Sequence, residues 1–158
     1  MDLWRVAAIG LGCGLAATAA MVTVELPVWK RWGLRGVLEW HENQVLTSRI
    51  LRLDEKQLHL TGIFTLHFLN GALGGAGLAV GLQFIPGLAS LPIVFTGATY
   101  GFILWILTLI PIHKPITGIH PWNHHPDGRG PAIASLAGHI LYGIVLGTLF
   151  FLLAGPLR

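Results

Sequence analysis

The feature that most constrains this chain is residues 57–113, which contain no Asp, Glu, Lys or Arg. A bilayer core of about 30 Å is crossed by a helix of about 20 apolar residues, so this stretch is long enough for two transmembrane helices. Shorter uncharged stretches lie between Arg5 and Glu25 and between Arg129 and Arg158, and each is long enough for one helix. The sequence therefore predicts an all-α membrane protein with four transmembrane helices.

The composition also favours a bilayer over water as the main solvent. Of the 158 residues, 53% are hydrophobic and 11% are charged, whereas about a quarter of the residues in soluble domains are charged. The formal net charge is +3, but the basic residues form no stripe with interleaved aromatics, so nucleic acid is not an expected partner. The expected partners are the lipid bilayer and other membrane protein subunits.

The chain is predicted to be one membrane domain, residues 1–158, with spans at 4–26, 60–82, 93–110 and 132–154. Residues 30–59 place apolar residues at helical intervals beside many basic ones, which is typical of an amphipathic segment at the membrane interface. Pro27 is expected to end or kink the first helix. The prolines within residues 83–92 predict a turn, and residues 111–131 are expected to form a loop rich in His and Pro.

The distribution of Lys and Arg predicts the orientation in the membrane. Residues 30–59 carry six of the ten and residues 111–131 carry two, whereas the opposite side carries only Arg5 and Arg158. Cytoplasmic loops carry an excess of Lys and Arg. The pattern therefore predicts a multi-pass protein of the cell membrane with both termini outside the cytoplasm.

The two halves of the chain share a sequence pattern. The second span has His67, Leu69, Gly71 and Gly75 at the same spacing as His139, Leu141, Gly143 and Gly147 in the fourth. Because each half contains two spans, the pattern predicts two tandem two-helix repeats of the same orientation. The second and fourth helices are then expected to pack near a pseudo-two-fold axis, with both histidine rings at equal depth inside the bundle.

At these residues the chain resembles a family of uncharacterised four-helix integral membrane proteins of bacteria and archaea. The resemblance rests on His-x-x-Asn-Gly at residues 67–71, on His120 followed by Pro121, and on His-x-x-Tyr-Gly-x-x-x-Gly at residues 139–147. It extends loosely over most of the chain and implies the four-helix fold without implying an activity.

The histidines of the second and fourth spans are the first candidate site, because ionisable residues inside a bilayer are costly and usually face the bundle interior. One interpretation is that His67 and His139 ligate haem b, with Gly71 and Gly143 making room for the macrocycle. Another is a pair of neutral histidines that hydrogen-bond across helices. The third is a proton relay or substrate pathway, against which the expected absence of buried Asp or Glu weighs.

The loop before the fourth span is the second candidate site. It contains His120, His124, His125 and Asp127, whose nitrogen and oxygen donors suit a transition metal such as Zn or Cu. The alternative is a polar interfacial loop stiffened by prolines. In either case the carboxylates Glu25, Glu39 and Glu42 are expected at membrane edges or in loops, as solvated partners of basic residues.

Five Gly-x-x-x-Gly spacings predict close helix packing. They are Gly10/Gly14, Gly71/Gly75, Gly77/Gly81, Gly97/Gly101 and Gly143/Gly147. Since four helices need not use all five internally, some are expected to face another subunit or another copy of the chain.

The sequence contains no P-loop, dinucleotide fingerprint, serine elbow or catalytic pair of carboxylates, so an enzyme is not favoured. The leading hypothesis is a non-enzymatic accessory or scaffolding subunit of a larger membrane complex. One alternative is a haem- or metal-binding redox protein that uses His67 and His139. A second alternative is a small transporter or proton-conducting protein.

Overall fold

A computed structural model describes residues 2–85 and 92–154, and over these ranges the chain forms helices and no strands. The helices are α1 (Leu3–Gly36), α2 (Leu38–Leu51), α3 (Leu60–Phe84), α4 (Ile93–Thr108), α5 (Lys114–Thr117) and α6 (Gly130–Ala154). A π-helical turn, Leu109–His113, joins α4 to α5. The centre of the turn predicted between the second and third spans, residues 86–91, lies outside the described residues.

Four helical segments are long and apolar enough to cross a membrane. They are α1, α3, α6 and the continuous stretch Ile93–Thr117 that contains α4, the π turn and α5. Large apolar side chains such as Phe95, Leu107 and Leu152 are exposed on their outer faces, as a lipid environment requires. The prediction of an all-α membrane protein with four transmembrane helices is confirmed.

Glycines make the closest contacts between these helices. A Cβ atom added to Gly14 of α1 would overlap the carbonyl oxygen of Gly71 in α3, and one added to Gly97 of α4 would overlap that of Gly143 in α6. The backbones therefore touch where the Gly-x-x-x-Gly spacing places glycine on the facing side. Four of the five spacings are used in this way inside the molecule. At the fifth spacing, Gly77/Gly81, a Cβ atom added to Gly81 would meet no atom within 4 Å.

The central helix of the bundle is α1. It packs along both α3 and α6, while α4 packs along α6. Direct contact between α3 and α6 is slight and includes a hydrogen bond of 2.6 Å from the Tyr142 hydroxyl to the Gly71 carbonyl. The second and fourth helices, α3 and α6, were predicted to pack against each other near an axis. This is wrong, because α6 packs along α1 instead of along α3.

The segment between the first two spans is helical, but its helices begin and end at residues other than those predicted. Instead of ending at Pro27, α1 continues to Gly36 and is broken at Gly33, where φ is +66°. The following helix, α2, contacts α1, α3 and α6 and so lies across one end of the bundle. It buries polar side chains, such as Asn43, and exposes apolar ones, such as Ile50.

The loop expected at residues 111–131 is shorter than predicted. The third span continues through Pro111, whose missing N–H is accommodated by the π turn, and remains helical to Thr117. This extension carries His113 into the bundle, where the side chain is fully buried.

Candidate functional site

Six buried or largely buried side chains form a cluster where α2 meets the spans. We call it the glutamate–histidine cluster, and its members are Glu25, Glu39, Glu42, His67, His113 and His139. They form three pairs, each of one carboxylate and one imidazole.

The first pair joins α1 to α3. Glu25 Oε2 lies 3.0 Å from His67 Nε2, and the two side chains are only 5% and 6% exposed. The Trp40 indole N–H, from α2, donates to the same carboxylate oxygen over 3.0 Å. His67 Nε2 is close to Glu25 without being aligned for a hydrogen bond, and Glu25 Oε1 has no hydrogen-bond partner among the described residues.

The second pair joins α2 to α6. Glu39 Oε1 accepts a hydrogen bond from the Ser135 hydroxyl and lies 3.5 Å from His139 Nδ1. His139 Nδ1 also lies 3.0 Å from the Ser135 backbone carbonyl. Because a carbonyl only accepts, Nδ1 carries a proton, and a neutral His139 ring offers Nε2 as the acceptor.

The third pair joins α2 to the π turn. His113 Nδ1 lies 2.8 Å from Glu42 Oε1, and His113 Nε2 has no partner among the described residues. Burial raises the pKa of the Glu42 carboxyl, and the hydrogen bond to His113 acts in the opposite direction. The His41 ring lies beside His113, with centroids 5.8 Å apart. Burial, reinforced by His113, lowers the pKa of His41 to about 4.

A cavity of about 130 Å³ lies among these pairs. Four members of the cluster line it, namely Glu39, Glu42, His67 and His139, together with neutral polar groups and the apolar side chains of Met21 and Leu104. None of the described residues that line it is Lys or Arg. The cavity thus brings carboxylate and imidazole groups from α2, α3 and α6 to one space at the polar part of the bundle.

The expectation that the three glutamates are solvated is wrong. Glu25 is only 4% exposed, the Glu39 and Glu42 side chains are 16% and 13% exposed, and each pairs with a histidine rather than with Lys or Arg. One signal for this arrangement is present in the sequence. A spacing of three residues places Glu39 and Glu42 on the same face of a helix, and that face is the one that α2 buries.

Both histidines of the first candidate site lie inside the bundle, with His67 5% and His139 7% exposed. The space between them does not suit haem, because pockets for drug-sized ligands measure roughly 300–1,000 Å³ and this cavity has about 130 Å³. Gly71 and Gly143 make no room for a macrocycle either, since a Cβ on either would overlap a neighbouring helix. The geometry gives no support to bis-histidine ligation of haem.

The histidines of the second candidate site hold the loop together. His120 Nδ1 accepts hydrogen bonds from two backbone N–H groups of its own turn, and His125 Nε2 donates to the Arg35 carbonyl. Within residues 2–85 and 92–154, no three His, Cys, Asp or Glu side chains form a group that could hold a metal ion. The metal site predicted at His120, His124, His125 and Asp127 is therefore not supported.

Comparisons with models of protein families, with curated proteins and with solved structures found no match to this chain. The fold defines the class of protein, an all-α membrane protein with four candidate spans. The glutamate–histidine cluster is where this fold brings ionisable groups together.

Proposed function

We propose that this protein is a small transporter in which the glutamate–histidine cluster binds and releases protons during the transport step. The observation that carries the proposal is the position of three carboxylate–imidazole pairs around one cavity, within or against helices that can span a membrane. Ionisable groups at such positions are costly and are typical of proton relays and ion pathways.

The chemistry of the pairs suits reversible proton binding. A carboxylate and an imidazole about 3 Å apart interact strongly, so the gain or loss of one proton changes the charge of the whole pair. Histidine is the side chain whose charge changes most readily near neutral pH. In the first pair, Glu25 and His67 both lie within spans. In the third pair, Glu42 of α2 contacts His113 of the third span.

Three atoms of the cluster are available for proton exchange. Glu25 Oε1, His67 Nε2 and His113 Nε2 are buried without a hydrogen-bond partner among the described residues. A cluster that exchanges protons needs lone pairs and N–H groups that are free to change partners.

Among the residues that the structure describes, the other half of the bundle contains no further carboxylate–imidazole pair. There the core is apolar, as at Leu78, Leu146 and Phe150, and the helices are joined through glycine. A transport step therefore needs a second arrangement of the helices. The two glycine-packed hairpins, α1 with α3 and α4 with α6, are the bodies expected to move. The two tandem repeats predicted from the sequence would place the cluster at the interface between such bodies.

The orientation is part of the proposal. The six basic residues of residues 30–59 lie on the side of α2, which favours a cytoplasmic position for α2 and the cluster in the cell membrane. Both termini are then outside the cytoplasm. A reporter fused to the C-terminus should behave as non-cytoplasmic, and a cytoplasmic signal would overturn this orientation.

The role of an accessory or scaffolding subunit stays a prediction. The sequence favours it through glycine faces and the amphipathic segment at residues 30–59. Four of the five glycine spacings are used within the bundle, and the open position is Gly81. We therefore favour the transporter.

Proton flux into proteoliposomes tests the proposal. Vesicles loaded with a pH-sensitive dye receive an inside-negative K⁺ diffusion potential, and wild-type protein is expected to acidify the lumen several-fold faster than protein-free vesicles. The double variant Glu39→Gln, Glu42→Gln should lose this flux. Glu55→Gln is the matched control, because Glu55 is exposed and its carboxylate has no ion-pair partner among the described residues. Equal rates for wild-type and protein-free vesicles would overturn the proposal.

A further inference from the structure

The size of the cavity restricts what it can hold. Its volume is about 130 Å³, and one water molecule takes up about 30 Å³ of liquid. A cavity of about 150 Å³ is enough for benzene, so this one suits ions and molecules of up to about six non-hydrogen atoms.

The charge of the lining favours a cation. Glu39 and Glu42 both line the cavity, and no described Lys or Arg does. In each carboxylate Oε1 is engaged, by Ser135 and by His113 respectively, while Oε2 forms no hydrogen bond within the described residues. Two carboxylate oxygens without partners, in a cavity without a described cation, attract a positive charge.

His67 gives an independent indication that the cavity holds a ligand. Its side chain is 6% exposed, it lines the cavity, and its ring makes no hydrogen bond within the part of the chain that the structure describes. With Nε2 placed beside Glu25, a neutral ring offers Nδ1 as an acceptor. The ring thus offers an Nδ1 acceptor to which no described residue donates.

The available acceptors suit N–H donors better than a metal ion. Ca²⁺ and Mg²⁺ require about six or more oxygen ligands, and the described residues hold no group of three metal-binding side chains. An ammonium group carries several N–H donors that can reach acceptors in different directions. The apolar walls formed by Met21 and Leu104 would accommodate a methyl group.

We infer that the cavity binds a small protonated amine of the size of ammonium or methylammonium, held by Glu39, Glu42 and His67. The inference rests on the proposed transporter function and specifies the chemical class of its solute. The carboxylates bind the charge, and the imidazole accepts one of the N–H groups.

Equilibrium binding of radiolabelled methylammonium to the purified full-length protein in detergent tests the inference without requiring transport. We expect saturable binding that ammonium displaces. Tetramethylammonium should not displace it, because it is larger and has no N–H donor. Glu39→Gln and Glu42→Gln should each weaken binding at least ten-fold, and Glu55→Gln should bind as wild type does. The competition experiment uses wild-type protein alone, so it remains decisive if a variant fails to fold.

The outcomes separate the two proposals. Proton flux by wild-type protein without saturable methylammonium binding would overturn this inference and leave the transporter intact. Displacement by tetramethylammonium as effective as that by ammonium would also overturn the inference, because the site would then not require N–H donors. The absence of both flux and binding would overturn both proposals.

Discussion

The two ends of the bundle are held together by different forces. At one end, which we call the glycine end, backbones touch at Gly10/Gly14 with Gly71/Gly75 and at Gly97/Gly101 with Gly143/Gly147. At the other, which we call the polar end, α2 lies across the spans and side chains pair through the glutamate–histidine cluster. The glycine end needs only small residues at a spacing of four, whereas the polar end needs partners from distant parts of the chain.

The difference separates stability from chemistry. Contacts between glycine backbones in lipid gain van der Waals energy without removing charge from water. The polar end removes carboxylates from water, and the attraction within a buried pair only partly offsets that desolvation. We therefore expect substitutions at the glycine end to change folding alone, and substitutions at the polar end to change folding and proton binding together.

The largest effect is expected at the first pair of the polar end. Glu25→Leu removes the partner of His67 and the acceptor of the Trp40 N–H. Removing one partner of a buried ion pair costs about 3–5 kcal/mol, and the free energy of unfolding in detergent should fall by that amount. Glu55→Leu, at an exposed position, should change it by less than about 0.5 kcal/mol. Similar losses for both variants would show that the pair does not hold the polar end.

A smaller effect is expected at the glycine end. The Cβ atom of Gly14→Ala would overlap the Gly71 carbonyl, and overpacking of this kind costs about 1–3 kcal/mol. Gly12→Ala, two residues away on α1, is the matched control because its Cβ would meet no atom within 4 Å. The unfolding free energies of the two variants should therefore differ by at least about 1 kcal/mol. If both behave as wild type, the close approach of α1 to α3 is refuted.

Two tyrosines form hydrogen bonds where the glycine end meets the polar end, and substitutions can test these bonds. The Tyr142 hydroxyl donates to the Gly71 carbonyl and the Tyr100 hydroxyl donates to the Gly74 carbonyl, each over 2.6 Å. Replacing either tyrosine by Phe should lower the unfolding free energy by about 0.5–1.5 kcal/mol. No loss in either single variant would exclude these bonds as links between the hairpins.

The smallest effect on the free energy of unfolding is expected from the protonation of His41 at acid pH. Burial lowers its pKa to about 4, whereas an ordinary histidine has a pKa near 6.5. The unfolded chain therefore gains a proton below about pH 6.5 while the folded chain does not, and stability is lost as the pH falls from about 6.5 to about 4. Because His41 is partly exposed, solvent screens part of this effect. His41→Phe should flatten the fall in unfolding free energy between pH 7 and pH 5, and an unchanged slope would contradict the assignment.

The glycine end was largely predictable from the sequence, because uncharged stretches and four-residue glycine spacings are local patterns. The residues at which the helices begin and end were harder to predict. Pro27 does not end α1, since a proline removes one donor and neighbouring contacts can keep the rest of the helix intact. Pro111 likewise stays within the third span, as part of the π turn.

The polar end was predictable in only two of the six members of the cluster. His67 and His139 stand out because they interrupt apolar stretches. Glu39 and Glu42 lie in a segment rich in charged residues, where solvation is the ordinary expectation. Their hydrogen-bond partners lie 96 and 71 positions further along the chain, and no local periodicity encodes pairing over such distances.

That separation along the chain sets an order of assembly during synthesis. The contacts between α1 and α3 are complete once residue 84 has been made, so the first hairpin can assemble in the membrane early. Glu39 cannot form its hydrogen bond until Ser135 has been synthesised, and Glu42 cannot form its own until His113 has been synthesised. Until the second hairpin has been inserted, α2 can contact only α1 and α3, and the carboxylates of Glu39 and Glu42 lack these partners. The lining of the cavity is complete only when the second hairpin has joined them, because it includes Leu104, His139 and Tyr142.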